Sequence, residues 1–430
     1  MNLKRALGSN RGVLLKNTVM LYILQFSTYL LALLVAPYET RVLGAEVYGG
    51  FLEASASIVI YFQLVIDFGF LLSATEDVSR HREDKQKLSE ILSSVTGAKL
   101  LLSLVSFGML MLLCRLIPAW EKKQTVLILT FVASMINSFM PDFLYRGLEK
   151  MTAITVRTVS IKILFSAAIF LFLKRPEDVW VVPALNIVGN SIALFLTYFH
   201  VIKTLDIHFS LCKMGEVLSA LRRSSVFFFS RIATTVYGAL NTVILDIITG
   251  SGAPTGYYTS ANKLITAGKN GLTPIADSLY PYMTRNRDFK LVKKVLLIME
   301  PVIFLVCAVI FVFANDFCGW FFGPDFREAG SVLRAMLPIG VVTLPSYIFG
   351  FPMLTAMGIS KHANYSTIFG SVFHMIVLGI LFAFNKVNMI SLALSVTATS
   401  TVILLYRIVV IYKNRHLIYA PPKGEKQDAK

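Results

Sequence analysis

The sequence predicts an all-α integral membrane protein: twelve transmembrane helices in two pseudo-symmetric six-helix lobes around a central cavity. Three observations carry this. The 430 residues are 55% hydrophobic and only 15% charged, where a soluble domain carries roughly 25% charged residues; mean hydropathy is +0.67. The apolar runs are about 20 residues long, enough to cross a hydrocarbon core of roughly 30 Å. The first half of the chain also recurs in the second at a nearly constant offset.

The runs fall at 17–37, 51–74, 91–114, 125–141, 153–173, 180–202, 225–248, 257–283, 295–314, 331–356, 366–384 and 390–412. The first follows Lys4, Arg5, Arg11 and Lys16 and is too long for a signal-peptide core, so it is a retained helix. The second holds Asp67, the third Lys99 and the fifth Lys162, and the fourth ends at Pro141. The seventh holds Arg231 and Asp246. The eighth, the most polar, holds Lys263, Lys269, Asp277, Pro274 and Pro281. Glu300 lies in the ninth, Arg334 with Pro338, Pro345 and Pro352 in the tenth, and Arg407 near the end of the twelfth. These prolines either shape the bundle or serve as hinges, shape being the simpler reading.

Orientation follows from the basic residues. With the N-terminus inside, 26 of the 41 Lys and Arg fall in inner segments, 8 in outer loops and 7 within spans. The positive-inside rule then places both termini in the cytoplasm. The same rule accounts for most of the net charge of +16, which otherwise suggests nucleic acid; no nucleic-acid partner is expected. The connections are too short for an extramembrane domain. Cys114, Cys212, Cys307 and Cys318 lack metal-site spacing and read as small apolar groups. No cofactor and no metal are expected.

The repeat sets Arg41–Val59 against Ile247–Ile265 at an offset of 206 without a gap: Gly44 falls on Gly250, Gly50 on Gly256, and Phe51 on Tyr257. A looser match, offset 211, sets Gly147-Leu-Glu-Lys150 against Gly358-Ile-Ser-Lys361. Six helices per repeat give both halves the same orientation, with a cavity between them. The domains are then 1–210, 211–412 and a polar, basic cytoplasmic tail, 413–430.

Pro141-Asp-Phe-Leu-Tyr-Arg-Gly147-Leu-Glu149-Lys-Met151 resembles the P-x-(aromatic)-x-(Tyr/Phe)-x-Gly-Leu-Glu-(Lys/Arg)-Met segment of Wzx-type O-antigen flippases, polysaccharide exporters of the MOP superfamily. Arg41-Val-Leu-Gly44 with Tyr48-Gly49 is similar to that family's R-x-L-G-x-x-x-Y-G turn, and Asp67-Phe-Gly69 to its D-x-G element. Phe143 and Arg146 depart from the residues common there. The resemblance covers the whole chain in layout and residues 41–151 in motif. It implies a flippase moving an undecaprenyl-pyrophosphate-linked sugar across the bacterial inner membrane by alternating access, among membrane lipids and other polysaccharide-assembly proteins.

The charges within the spans fit an anionic substrate, since ionisable groups there usually face a cavity or a partner. Lys99, Lys162 and Arg231 lie roughly 9–13 Å in from the cytoplasmic side; Lys269 is near the midplane, with Lys263 and Arg334 closer to the other side. These six are the candidate pyrophosphate ligands, the bland alternative being snorkelling to the interface. Asp67, Asp246, Asp277 and Glu300 either pair with these cations, or one of them is a protonation or sodium site that drives the cycle, Asp67 being the first candidate. Tyr257, Tyr258, Tyr280 and Tyr282 read as an interfacial belt before they read as sugar-stacking groups.

Rival functions are weighed by the same residues. A multispan polymerase of this pathway usually carries a large outer loop, which is absent. A membrane acyltransferase needs a His with a nearby acid, and His200, His208 and His374 lack one in pattern. A drug/cation antiporter calls for excess acids in the spans, where bases outnumber acids seven to four. A lipid II flippase suits the charges but usually has fourteen spans. The expectation is a transporter and not an enzyme.

Overall fold

The computed structural model describes residues 10–210 and 212–419, the side chains of 10–15, 229–237 and 419 excepted. The side chain of Arg231 and the end of the tail therefore lie outside the described residues. Contacts divide the chain into two compact units, Met1–Gly256 and Tyr257–Lys430.

The first unit begins with α1 (Asn10–Val47), which bends at Gly44, a glycine with φ 71°, and passes into a π-helical turn at Tyr48–Glu53. Next come α2 (Ala54–Asp67) and α3 (Phe70–Arg80). Phe68 and Gly69, both left-handed at φ 38° and 78°, separate them, so the predicted second span is broken at its Asp-Phe-Gly element. A Cβ on Gly69 would meet Phe227 Cβ at 2.8 Å, and the Phe68 ring stacks on Phe228 with centroids 4.4 Å apart. Helix α4 (Lys85–Leu116) starts where the Asp84 carboxylate accepts from the Lys87 N–H at 3.0 Å. Short α5 (Pro118–Glu121) leads to α6 (Gln124–Ser138), short α7 (Asp142–Gly147) and α8 (Met151–Phe172). A 3₁₀ turn at Pro176–Trp180 precedes α9 (Val181–Lys203); α10 (Met214–Thr249) ends on left-handed Gly250.

Helix α11 (Ala253–Asn286) runs into the second unit. There follow α12 (Phe289–Val312), α13 (Ala314–Phe322), α14 (Ala329–Met336), α15 (Pro338–Phe349), α16 (Phe351–Ala356), α17 (Lys361–Ala383), α18 (Met389–Lys413) and α19 (His416–Tyr419). The predicted tenth span is thus three helical pieces, interrupted at Leu337, just before Pro338, and at Gly350. Among the described residues no strand occurs.

Helix covers each predicted span. Nine stretches of the described residues are long and apolar enough to cross a membrane, the first of them, Lys16–Arg80, taking in two predicted spans. The seventh and eighth spans are not among the nine. The apolar described part of α10 is the short Gly238–Thr249, and α11 carries Lys263, Lys269 and Asp277 along its length. Large side chains such as Leu104, Leu171, Phe195 and Phe304 stand exposed on the helices, as a hydrocarbon solvent permits. The chain is a multi-pass membrane protein.

The sequence repeat divides the chain at residue 210 and contacts divide it at Gly256, because α10 packs against α2, α3 and α4. Within each unit the pattern recurs. In the first, α9 packs on α6 and α8; in the second, α18 packs on α15 and α17. The six-residue helices α7 and α16 are offset by 209 at both ends. Each is followed by a left-handed residue, Glu149 (φ 58°) or Gly358 (φ 77°). The next N–H then reaches back five residues, Lys150 to the Tyr145 carbonyl at 2.8 Å and Ile359 to that of Leu354 at 2.9 Å. This corrects the looser sequence match: turn geometry aligns Glu149 with Gly358, where residue identity aligned Gly147 with it.

Candidate functional site

The motif at 141–151 is a packed joint. Pro141 closes the turn after α6, and Phe143, Leu144, Tyr145 and Gly147 of α7 are buried. A Cβ on Gly147 would lie 2.4 Å from Val78 Cγ1, so only glycine lets α7 lie this close to α3. Tyr145 Oη meets His200 Nδ1 of α9 at 2.9 Å. Asp142 pairs with Arg157 of α8 at 2.9 Å, and Arg157 also donates to Thr197 of α9 at 3.0 Å. Glu149 pairs with Arg82 at 2.6 Å, and its carbonyl accepts from Asn17 of α1 at 3.0 Å. One eleven-residue segment thus ties α1, α3, α8 and α9. Arg157 is a half-buried structural cation that also donates to the adjacent Thr158 at 3.2 Å; Asp142 and Thr197, its partners on α7 and α9, are distant in sequence and gave no local signal. The Arg82–Glu149 pair is half exposed, and exposed pairs contribute about 0.2–1 kcal/mol. Arg82→Ala is expected to lower stability by no more than about 1 kcal/mol, read from denaturant unfolding of the purified protein. Beside the joint, outside the spans, the Lys85 hydrogen bond at 2.7 Å, with His208, holds the Asp206 carboxyl below its usual range.

The turn at 41–50 meets its own repeat. A Cβ on Gly50 would strike the Ser251 carbonyl oxygen at 1.9 Å, and one on Gly256 that of Ala45 at 2.2 Å. These contacts exchange under the offset of 206 found in the sequence. Gly44 and Gly250, its aligned pair, are both left-handed, at φ 71° and 62°. A two-fold relation between the turns accounts for both facts. Lys123 sits in the middle. Its ammonium donates to Asp246 Oδ2 of α10, to the Gly50 carbonyl at 3.0 Å and to Ser251 Oγ at 3.1 Å. Three partners use all three N–H donors. Both ionised side chains are 0% exposed. The sequence reading counted Lys123 as an outer-loop cation and missed this role.

The predicted site residues fall into groups. Lys99 is buried on α4, donates to the Ser138 carbonyl at the end of α6 and lies 5.9 Å over the Phe143 ring. There it neutralises a helix C-terminus and braces the motif. Lys162 stands exposed on α8, 3.2 Å from Thr28 of α1. The two share no partner. Arg334 in the second unit donates to the Phe311 carbonyl and to Asn315 Oδ1, each at 2.9 Å, closing the end of α12. Lys263 and Lys269 are half-buried on α11. No hydrogen bond or ion pair among the described residues engages the Lys269 ammonium. Asp67 is half-buried before the left-handed break, Asp277 is exposed and Asp246 is paired with Lys123. Of the motif residues, Gly44, Pro141, Gly147 and Glu149 serve the turns described above, and Arg41 is exposed beside the first of them. Among the described residues no cluster of His, Cys, Asp and Glu could hold a metal ion.

Two helical units with recurrent packing, broken helices and cations inside the spans define a multi-pass membrane protein of transporter architecture. Residues 14–287 match the family described as "Polysaccharide biosynthesis protein". That is more than half of the chain, and the chain belongs to this family. It is 25% identical over 364 residues to the "Putative O-antigen transporter" of Escherichia coli strain K12, covering 83% of this chain and 86% of the relative. It is 23% identical over 368 residues to the protein of the same name from Shigella dysenteriae, covering 84% and 91%. Two solved structures share the fold: the lipid II flippase MurJ in an inward closed conformation (TM-score 0.67, 16% identity, 94% of this chain and 90% of that one), and an inward-facing multidrug resistance MATE family transporter of the MOP superfamily (TM-score 0.63, 15% identity, 94% and 98%). The fold is that of the MOP superfamily, as the motifs imply.

Proposed function

We propose that the chain is a flippase that moves an undecaprenyl-pyrophosphate-linked oligosaccharide, an O-antigen or related repeat unit, from the cytoplasmic to the outer leaflet of a bacterial inner membrane. It works by alternating access between two six-helix lobes, with both termini cytoplasmic, and it is a transporter, not an enzyme. Its partners are the lipid-linked sugar, membrane lipids and other polysaccharide-assembly proteins. The observation that carries the reading is the coincidence of a polysaccharide-biosynthesis family with a MOP fold and an excess of bases over acids in the spans. The names of the curated relatives point the same way.

Of the candidate ligands Lys99, Lys162, Arg231, Lys263, Lys269 and Arg334, we place Lys269 and Lys162 first. Lys269 has no polar protein partner among the described residues, and Lys162 has a single hydroxyl. Lys99 and Arg334 already satisfy backbone carbonyls. A charged hydrogen bond is worth about 1.5–3 kcal/mol, on the order of 10- to 100-fold in affinity. Replacing Lys162 and Lys269 together by alanine is expected to reduce export by at least about 10-fold at equal protein level; unchanged export would remove the charge role. Deleting the gene in its native host tests the class. Lipid-linked single repeat units should build up on the cytoplasmic face, and their absence there would end the flippase reading.

A further inference from the structure

Helix α12 is strongly apolar, yet it carries Glu300 eleven residues from its start. It lies five residues into the apolar run 295–314, roughly 8 Å along the axis from the start of that run. Glu300 lines a groove of about 630 Å³ within the second unit. Apart from Lys293 the other walls are apolar: Val292, Leu296 and Phe304 of α12 face Val341 and Phe349 of α15 and Met353 of α16. Glu300 Oε1 is shielded and accepts no hydrogen bond.

The surrounding charges do not neutralise it. Lys293 lines the same groove but stands two helical turns away, roughly 10 Å. Helices α15 and α16 contain no charged residue. Helix α11, which meets the start of α12 through Leu279 and Met283, carries Lys263, Lys269, Asp277 and Arg285; none pairs with Glu300. At the far end of α12, Arg334 is engaged with Phe311 and Asn315, and Asp316 with Arg327. On α12 itself Lys294 stands six residues before Glu300, and Lys293 and Cys307 seven residues away on either side; no hydrogen bond or ion pair joins Glu300 to any of them among the described residues.

An ionised carboxylate at this depth costs several kcal/mol unless it is paired. Its stem is shorter than that depth, so the snorkelling that excuses a lysine is closed to it. A bound proton removes the charge. We propose that Glu300 is a proton-binding site: a neutral carboxyl open to lipid chains in the state seen here, which releases its proton when rearrangement of α12 against α15 brings in water or a cation. Pro301, next in the chain, removes a helical hydrogen bond and leaves α12 able to bend at that point. The use of that proton in moving substrate rests on the flippase reading; the site itself does not.

Dicyclohexylcarbodiimide reports the site directly. It dissolves in the bilayer, and a protonated carboxyl adds across one C=N bond to give an O-acylisourea that rearranges to an N-acylurea, with no leaving group. The full chain in liposomes is expected to gain one such adduct at Glu300 by peptide mass spectrometry. A membrane-impermeant carbodiimide should give none, and Glu300→Gln should reduce the adduct to background. No adduct at Glu300, or equal reaction with both reagents, overturns the proposal. In a second arm the same vesicles move a fluorescent undecaprenyl-pyrophosphate disaccharide. Stimulation by a proton gradient should disappear in Glu300→Gln; wild-type stimulation in that variant overturns the coupling. Wild-type vesicles that fail to move the probe at all would end the flippase reading, and the adduct alone would then decide whether Glu300 holds a proton.

Discussion

Replacing Lys123 by methionine is expected to destabilise the protein by about 3–5 kcal/mol, the range for removing one partner of a buried ion pair. Asp246 would be left ionisable in a site where both side chains are fully shielded. The Gly50 carbonyl and Ser251 hydroxyl would lose their donor as well. The loss comes from the uncompensated charge more than from the missing attraction. Lys123→Met/Asp246→Leu should therefore recover most of the deficit, because an apolar pair of similar volume needs no counter-charge. Denaturant unfolding of the four proteins in one detergent gives the coupling energy directly. Additive single effects would mean that the two groups are not paired.

The second large effect is expected at Gly49. A Cβ there would lie 2.0 Å from the Gly256 backbone nitrogen and 2.2 Å from its Cα. No side chain can rotate out of the way, so the two turns must part. Overpacking of this kind costs about 1–3 kcal/mol. Gly108 on α4 has nothing within 4 Å of an added Cβ, and Gly108→Ala should stabilise its helix by up to about 1 kcal/mol. Opposite signs for the two substitutions, measured by thermal unfolding, would check the close approach; equal effects would refute it.

Both sites show what a linear reading reaches. The glycines were legible because a turn that packs backbone on backbone demands glycine wherever it recurs, and the gapless offset of 206 preserved them. Lys123 was not, because its partner lies 123 residues away and a lysine beside an apolar run looks like any interfacial cation. Lys99 was noticed for its depth, but its partner is a carbonyl, and backbone groups leave no mark in a sequence. Positive-inside topology accounts for the basic Arg146 and Lys150 of the 141–151 motif but not for its acids. Their three-dimensional partners, Arg82 for Glu149 and Arg157 for Asp142, explain why these particular charges sit there.

Membrane insertion, the approximate spans and the duplication were determined by the sequence itself. Hydrophobic transfer adds up locally along the chain, and a recurring turn repeats its glycines. The partners of the charges were decided only by the tertiary structure, as were the breaks at Phe68 and Gly350, the 209 register of the short helices and the placing of α10 with the first unit. An ion pair or a backbone contact forms between groups that the fold brings within a few ångströms, and separation along the chain says nothing of that distance.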